Sequence, residues 1–344
     1  MKSLFRLFIL MLALSACSQP VQQQRQMKGV ILHVDDLKTM DWPALAHENG
    51  INTIGTHVNP GQVLEFIQSE SGKVFLEDCR KYGIHVEHQI HAMSELLPRE
   101  LFSQDPEMFR MNKDGERTPD CNCCVHSDKA LDIIAAKAAE FASLLPSDNH
   151  RYYFWLDDGK ETCCCPKCRE YSVSDQALII ENRMLEAIRE VDPEAKLAHL
   201  AYFNSMPAPV KVKPAEGIFL EFAPFDRTWD SPLTDKDATA VLNDSGITHA
   251  DILRHLEDNL KVFPAEDALV LEYWLDVSLF SRWKKPAVQL PWNREICRSD
   301  VQTYAGYGIR NVTSFAVYMD STYFRKYPDT GCLKEYADIL SEIK

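Results

Sequence analysis

Glycine is scarce in this sequence: there are 13 glycines among 344 residues, and none form a Walker-type or dinucleotide-binding motif. Nucleotide phosphates therefore lack an obvious binding loop. Basic residues are also outnumbered, because 37 Lys and Arg against 51 Asp and Glu give a formal charge of -14. This charge would repel a polyanion such as nucleic acid. The composition thus argues against nucleic acid as a partner and favours a neutral or oligomeric polar substrate.

The chain also lacks a proline-rich linker that would divide it. Its 45% hydrophobic and 26% charged residues are ordinary for a globular protein and exclude a disordered chain. We therefore predict one folded domain, residues 28–344. The N-terminal apolar run Leu7 to Leu14 is too short for a membrane helix.

The N-terminus has the order of an export signal. Lys2 and Arg6 precede the apolar run, and Leu14-Ser-Ala-Cys17 follows it, which resembles the bacterial lipobox. We predict a signal peptide over residues 1–16, lipidation of Cys17 and a glutamine-rich flexible tether over residues 17–27. A plain cleaved signal is the alternative. The prediction places the protein in the bacterial cell envelope, periplasmic or surface-exposed, with the membrane as a partner through Cys17.

Short runs rich in β-branched and aromatic residues alternate with helix-like stretches, which is typical of repeated βα units. Eight such strands favour a single (β/α)8 TIM barrel, since an open doubly wound sheet would normally carry a glycine-rich first turn. The crossover Asn204 to Glu216 is proline-rich and is predicted to lack a full helix. The predicted strands are Gly29 to Asp36, Ile51 to Val58, Ile84 to Ala92, Arg151 to Asp158, Lys196 to Phe203, Gly217 to Phe225, Ala268 to Asp276 and Val312 to Asp320. The predicted helices are Trp42 to Glu48, Gln62 to Tyr82, Ser127 to Leu145, Ser174 to Val191, Thr248 to Val262, Ser299 to Tyr307 and Leu333 to Ile343.

Polar residues two apart recur within these strands and so share one face of each strand. We predict that this face lines the barrel axis, and that the site lies at the C-terminal ends of the strands. The residues concerned are His33 and Asp35 on strand one, His85, Glu87, Gln89 and His91 on strand three, and Glu272, Trp274 and Asp276 on strand seven.

The fourth strand ends in the adjacent carboxylates Asp157 and Asp158, after five apolar or aromatic residues. Neighbouring acids can have separated pKa values, as acid catalysis at a glycosidic oxygen requires. Asp158 is the predicted general acid and Glu272 the predicted nucleophile or base. If the substrate carries an acetamido group, Asp157 would orient that group and Glu272 would only bind. A strand-end turn or helix cap is the alternative for the pair.

Aromatic residues beside acids suit a sugar, because its C–H faces stack on rings while its hydroxyls bond to carboxylates. Carbohydrate is therefore the predicted ligand. Arg227 would bind a sugar carboxylate or pair with Asp226. Stacking rings are expected from Trp155, Trp229, Tyr273, Trp274 and Tyr318. The predicted substrate-binding residues are His33, His57, His91, Trp155, Tyr202, Glu221, Arg227, Trp274, Asp276 and Asp320.

Several motifs together resemble a known family. They are Tyr153-Phe-Trp-Leu-Asp-Asp-Gly159, Cys163-Cys-Cys-Pro-Lys-Cys168, Ser174-Asp-Gln176 with Asn182, Glu221-Phe-Ala-Pro224 with Arg227, and Glu272-Tyr-Trp-Leu-Asp276. They resemble the glycoside-hydrolase-like domain-of-unknown-function family of bacterial lipoproteins, related to α-glucuronidases and hexosaminidases. The resemblance implies the fold and the reaction class, without a substrate. The Asp157–Asp158 pair also resembles hexosaminidases that use the acetamido oxygen of the substrate as nucleophile.

Seven cysteines fall in two consecutive loops: Cys121, Cys123 and Cys124 after strand three, and Cys163, Cys164, Cys165 and Cys168 after strand four. Consecutive βα loops of a barrel are neighbours, so the two groups are expected to meet. Disulfides are the default in an exported protein. A structural zinc held by Cys123, Cys163, Cys165 and Cys168 is the alternative, with free thiols as a third possibility. No other cofactor is predicted.

Two rival functions remain at this stage. Metal-dependent hydrolases on this barrel gather histidines and an aspartate, and His33, His57, His91, His199 and Asp320 occupy suitable positions. The match is incomplete because strand one lacks His-x-His and strand four lacks a lysine. The other rival is a glycan-binding lipoprotein without turnover. The approach of Asp158 to Glu272 across a pocket would distinguish an enzyme from a binding protein.

Overall fold

Eight strands pair in parallel in chain order, and the last pairs with the first, which closes the sheet into a barrel. The computed structural model describes residues 26–145, 147–240 and 245–343. The predicted (β/α)8 barrel is confirmed, and all eight predicted strands are present. The strands are β1 (Lys28–His33), β2 (Thr53–His57), β3 (His85–His91), β4 (Arg151–Trp155), β5 (Lys196–Ala201), β6 (Ile218–Phe222), β7 (Leu269–Glu272) and β8 (Asn311–Phe315).

The helices that cover the barrel follow the predicted pattern, with one predicted helix divided in two and several short helices added. The stretch predicted as one helix from Gln62 to Tyr82 is two helices, because Ser69 ends the first and its hydroxyl caps the second. The crossover after β5 contains only a short 3-10 turn, Phe203–Ser205, as its prolines predict. The helices are α1 (Val34–Leu37), α2 (Trp42–Asn49), α3 (Pro60–Gln68), α4 (Glu70–Tyr82), α5 (Met93–Leu96), α6 (Asp128–Leu144), α7 (Val173–Ile188), α8 (His249–Asn259), α9 (Val277–Phe280), α10 (Arg294–Gly306), α11 (Ser321–Lys326) and α12 (Gly331–Ser341).

Most strands end earlier than predicted, which changes where their last polar side chains point. After β1 the chain turns directly into α1, and the Asp36 carboxylate accepts the His33 backbone N–H at 3.2 Å. Asp35 therefore lies on a helical turn instead of the barrel face. Its side chain is 85% exposed and pairs with Lys38.

A buried polar cluster fills the barrel below its C-terminal mouth. The Arg151 guanidinium lies 3.7 Å from the centre of the Phe219 ring and donates to the Tyr153 hydroxyl at 3.1 Å. That hydroxyl donates to Glu87 at 2.9 Å, and Gln89 donates to the same carboxylate at 3.0 Å. Glu87 and Gln89, from the polar face predicted for strand three, thus lie buried inside the barrel, where neighbouring donors satisfy the Glu87 carboxylate.

The predicted signal peptide over residues 1–16, the lipidation site Cys17 and residues 17–25 of the tether lie outside the described residues. These assignments stay predictions. Among the residues that are described, no helix has both the length and the apolar character needed to cross a membrane.

Candidate active site

A cavity of about 430 Å³ opens at the C-terminal mouth of the barrel, within the range of small-molecule sites. The last residues of β1 to β4 form part of its floor: His33, His57, His91 and Trp155. Their side chains point inward because alternate residues of a strand face the barrel axis. The aromatic rings of the wall are Trp155, Tyr202, Phe203, Phe225, Tyr273, Trp283 and Phe315.

Two carboxylates line the cavity, and their surroundings differ. Asp158 follows β4; its side chain is 64% exposed, and Oδ1 lies 3.8 Å from His91 Nε2. Asp276 follows β7 and is buried; its Oδ1 accepts the Ser278 N–H at 3.0 Å and the Ser278 hydroxyl at 2.6 Å. No hydrogen bond within the described residues reaches Asp276 Oδ2. Burial raises the pKa of Asp276 to about 6.

The Tyr273 side chain lines the cavity and lies within electrostatic reach of both acids. Burial raises the pKa of its phenol, and the negative charges of Asp276 and Asp158 both raise it further. Burial and the Asp158 charge likewise raise the pKa of Tyr202. Both phenols therefore stay protonated, and each can donate a hydrogen bond inside the cavity.

The three imidazoles of the floor are uncharged near neutral pH. Burial lowers the pKa values of His33 and His91, and burial together with the two neighbouring imidazoles lowers that of His57 to about 3. His57 Nδ1 lies 2.6 Å from the Gln89 carbonyl and His91 Nδ1 lies 2.5 Å from the Leu156 carbonyl. Since a carbonyl only accepts, the proton of each ring is on Nδ1. Nε2 is then free to accept a hydrogen bond from a ligand.

Of the described residues, no lysine or arginine lines the cavity. The charged groups in its wall are both carboxylates. An anionic ligand group would meet repulsion without a counter-charge, whereas a neutral polyhydroxylated ligand would find hydrogen-bond acceptors and aromatic faces.

Asp157 lies beside the cavity but is not part of its lining. Its Oδ2 accepts from the Arg99 guanidinium at 2.5 Å and from the Asn122 backbone N–H at 2.5 Å, and its side chain is 17% exposed. These contacts tie the end of β4 to the loop after β3. The predicted role of Asp157 toward an acetamido group stays a prediction.

Glu272 points away from the cavity. Leu271 lines the cavity, so its neighbour Glu272 faces the helix layer instead. Its fully buried carboxylate accepts from Arg227 at 2.7 Å and from the Tyr304 hydroxyl at 2.5 Å. Trp274 also lies in this layer and donates to Asp300 at 3.1 Å. The catalytic role predicted for Glu272 is untested, but the geometry separates it from Asp158.

Arg227 lies at the centre of the same buried cluster. Its guanidinium has no exposed surface and pairs with Glu272 and, at 2.9 Å, with Asp300. Arg227 is not among the residues that line the cavity. Sequence reasoning missed Asp300 and Tyr304, because both lie on α10 and the strand pattern carries no signal for them.

Three further residues from the sequence prediction lie outside the cavity. Glu221 lies behind Trp155, whose indole N–H it accepts at 2.7 Å, and burial raises its pKa well above the usual range. Asp320 caps α11 and pairs with Lys285 at 2.7 Å. His199 faces α7, where it bonds to Glu181 at 2.7 Å. Of the groups in the metal-hydrolase alternative, His33, His57 and His91 lie together in the cavity floor, whereas His199 and Asp320 lie outside the cavity.

Loops contribute cavity residues that the strand pattern did not reveal. Phe203, Phe225 and Trp283 follow β5, β6 and α9, and Trp283 is 54% exposed at the rim. The available signal was an aromatic residue in a loop beyond a strand end, since such loops carry function in this fold.

The cysteine loops meet as predicted, but with a different set of thiols together. Among the described residues all cysteines are unpaired, and the sulfurs of Cys124, Cys163, Cys165 and Cys168 lie within 4.8 Å of one another. The alternative zinc set named Cys123, whereas the sulfur of Cys124 is the one that lies with the other three. Asn122 has a φ of 44°, so the chain turns immediately before these two cysteines.

The sequence model described as "Domain of unknown function (DUF4838)" matches residues 11–327, which is most of the chain. The chain belongs to this family. The match contains every residue that lines the cavity and the whole cysteine cluster. It confirms the resemblance to a domain-of-unknown-function family, and no curated protein matches the chain.

Several solved structures are similar to this chain at low sequence identity. A GH20 catalytic module of the pneumococcal exo-β-D-N-acetylglucosaminidase StrH has a TM-score of 0.48 at 10% identity, covering 91% of this chain and 84% of that chain. A GH18 chitinase from Pseudoalteromonas aurantia has a TM-score of 0.47 at 8% identity, covering 92% of this chain and 100% of that chain. The exo-β-1,4-mannosidase Op5Man5 from Opitutaceae bacterium strain TAV5 has a TM-score of 0.45 at 14% identity, covering 90% of this chain and 55% of that chain.

Proposed function

We propose that this DUF4838 protein is a glycoside hydrolase that acts on a neutral sugar through Asp276 and Asp158. One observation carries the proposal: an aromatic-walled cavity holds two carboxylates, one buried with a raised pKa and one exposed. Pairs of titratable groups in unlike surroundings are how hydrolases divide acid and base roles.

Asp276 is the proposed general acid. Its raised pKa of about 6 keeps about a tenth of the group protonated at pH 7 and more in mildly acidic solution, and Oδ2 has no competing partner within the described residues. Asp158 is the proposed base or nucleophile, since its exposed carboxylate lies beside uncharged His91 and the Tyr202 phenol. From the sequence, Asp158 was the predicted general acid. Asp276 is the buried one of the two carboxylates, so we assign the acid role to Asp276 instead.

The reaction follows from these positions. Asp276 gives its proton to the glycosidic oxygen as the bond from that oxygen to the anomeric carbon breaks. Asp158 either takes a proton from the attacking water or attacks the anomeric carbon itself, after which water releases the sugar. One water is consumed in either case. In the direct displacement Asp276 ends deprotonated and Asp158 protonated, and proton exchange with solvent restores both groups. In the two-step route Asp276 recovers its proton from the water that releases the sugar.

The cavity favours a neutral sugar over a uronic acid. Arg227, the cation predicted to meet a sugar carboxylate, is buried against Glu272 and Asp300. The imidazole Nε2 atoms of His57 and His91 accept from hydroxyl groups, while Trp283 and Tyr273 offer ring faces to the C–H surface of a sugar.

The proposal includes attachment to the bacterial cell envelope through a lipid on Cys17. It is supported by the order of basic residues, apolar run and Leu-Ser-Ala-Cys at the N-terminus. Mass spectrometry of the N-terminal peptide of the full-length protein tests it, and a retained, unmodified Cys17 would contradict it.

The function is tested by incubating the full-length protein, purified in detergent, with a panel of aryl glycosides of neutral sugars and uronic acids. We expect release of the aryl group from a neutral glycoside and no release from the uronides. Parallel glycan-array binding separates the alternatives, because binding without release would show a carbohydrate-binding protein that does not hydrolyse.

The pH profile of kcat/KM is predicted to descend above about pH 6, the raised pKa of Asp276. Burial disfavours the charged form, so the acid holds its proton below this pH and loses it above, and kcat/KM should fall about tenfold per pH unit. Asp276→Asn cannot titrate and should remove this descending limb. An unchanged limb in a folded Asp276→Asn variant would contradict the acid assignment.

A further inference from the structure

Four cysteine sulfurs form a compact group where the loop after β3 meets the loop after β4. Cys124 comes from the first loop, and Cys163, Cys165 and Cys168 come from the second. All four residues are buried, and Cys165 and Cys168 have the Cys-x-x-Cys spacing of structural metal sites. The group lies outside the cavity described above.

The Cys124 sulfur lies at the separations of a tetrahedral metal site from two of the other sulfurs. Zinc–sulfur bonds of about 2.3 Å place tetrahedral ligands about 3.8 Å apart. The Cys124 sulfur lies 3.7 Å from that of Cys168 and 3.9 Å from that of Cys165. A disulfide requires about 2.05 Å, so neither pair is bonded. A tetrahedral S₄ set is typical of zinc or an iron–sulfur centre, and a four-ligand site without an open position is structural.

Donors around the sulfurs suit thiolate ligands. The Cys163 sulfur accepts the Met111 backbone N–H at 3.2 Å and an Arg117 guanidinium N–H at 3.6 Å. The Arg117 side chain is 14% exposed, so its positive charge partly offsets the negative charge of four bound thiolates. The Gln176 amide bonds to the backbone of Cys163 and Cys168 and fixes the second loop.

We propose that Cys124, Cys163, Cys165 and Cys168 bind one structural zinc ion that joins the two loops. The connection between the two loops also affects the cavity. Asn122, two residues before Cys124, holds the Asp157 carboxylate, and Asp157 directly precedes cavity-lining Asp158. The ion thus fixes the loop that positions Asp158. The proposal stands independently of the glycosidase assignment.

The test measures the zinc content of the full-length protein, purified without added metal or chelator. We expect about one zinc per chain, the stoichiometry of a four-ligand site. Cys124→Ser and Cys165→Ser should lower it at least about tenfold, because each removes one of four ligands. Cys164→Ser is the matched control, since Cys164 lies in the same loop but outside the group, and it should keep the wild-type content.

Two further measurements on the wild-type protein test the proposal even if the cysteine variants do not fold. Replacing zinc by Co²⁺ in the wild type should give the visible spectrum of tetrahedral thiolate coordination, and chelation should lower the unfolding temperature. Alkylation and mass spectrometry without reduction detect disulfides. A zinc-free wild type, disulfides among these four residues, iron in place of zinc, or equal zinc in Cys124→Ser and Cys164→Ser would each overturn the proposal.

Discussion

Asp276→Asn is expected to lower kcat/KM by about 10²- to 10⁴-fold on a glycoside whose leaving group needs a proton, and far less on an activated aryl glycoside. The amide cannot donate the proton that the buried acid supplies at the glycosidic oxygen. Asn still provides Oδ1 to cap α9, as Asp276 does, so the variant should fold. Steady-state rates on paired substrates that differ only in leaving group measure the effect.

Asp158→Asn should lower kcat/KM by a comparable factor on both substrates, because a base or nucleophile is needed whatever the leaving group is. The matched control is Asp35→Asn, which changes an exposed acid near the mouth that does not line the cavity and should leave the rate unchanged. If instead the loss in Asp158→Asn depended on the leaving group and the loss in Asp276→Asn did not, Asp158 would be the general acid. Near wild-type rates in both folded variants would show that the catalytic site lies elsewhere.

Glu272→Gln is expected to lower the free energy of unfolding by about 3–5 kcal/mol, the cost of removing one partner from a buried ion pair. Arg227 has no exposed surface and would lose one of its two carboxylate partners, keeping only Asp300. The Tyr304 hydroxyl would lose its charged acceptor as well. Denaturant unfolding of wild type and variant measures the difference.

Glu295→Gln is the control for this change, because Glu295 lies on the same helix layer, is 76% exposed and should alter stability by less than about 0.5 kcal/mol. A Glu272→Gln protein with wild-type stability but a large loss of turnover would contradict the structural role. That result would instead support the catalytic role that the sequence analysis assigned to Glu272.

The order of strands and the position of the mouth were predictable because they depend on local pattern. In β3 the alternation was correct along a long strand, from Glu87 inside the barrel to His91 in the cavity wall. Leu271 of the four-residue strand β7 lines the cavity, so the alternation there has the opposite phase from the predicted one. Glu272 and Trp274 therefore face the helix layer.

The remainder of the site depends on contacts that no local pattern encodes. Asp276 was predicted as a binding residue, but its burial, and hence its raised pKa, arises from the fold around it. Trp283 enters the cavity wall from a loop, where its backbone and that of Arg282 adopt positive φ angles of 54° and 51°. Cys124 was missed in favour of Cys123 because the direction of each thiol depends on the loop conformation.

The most direct test of the central claim is a ¹H NMR time course of full-length protein with a glycoside of the sugar selected from the panel whose leaving group needs a proton. We predict a new anomeric resonance of the freed sugar that grows with wild-type protein and grows at least about 100-fold more slowly with Asp276→Asn. Bound-state shifts without any new anomeric resonance would contradict the claim, as would equal rates in the two proteins.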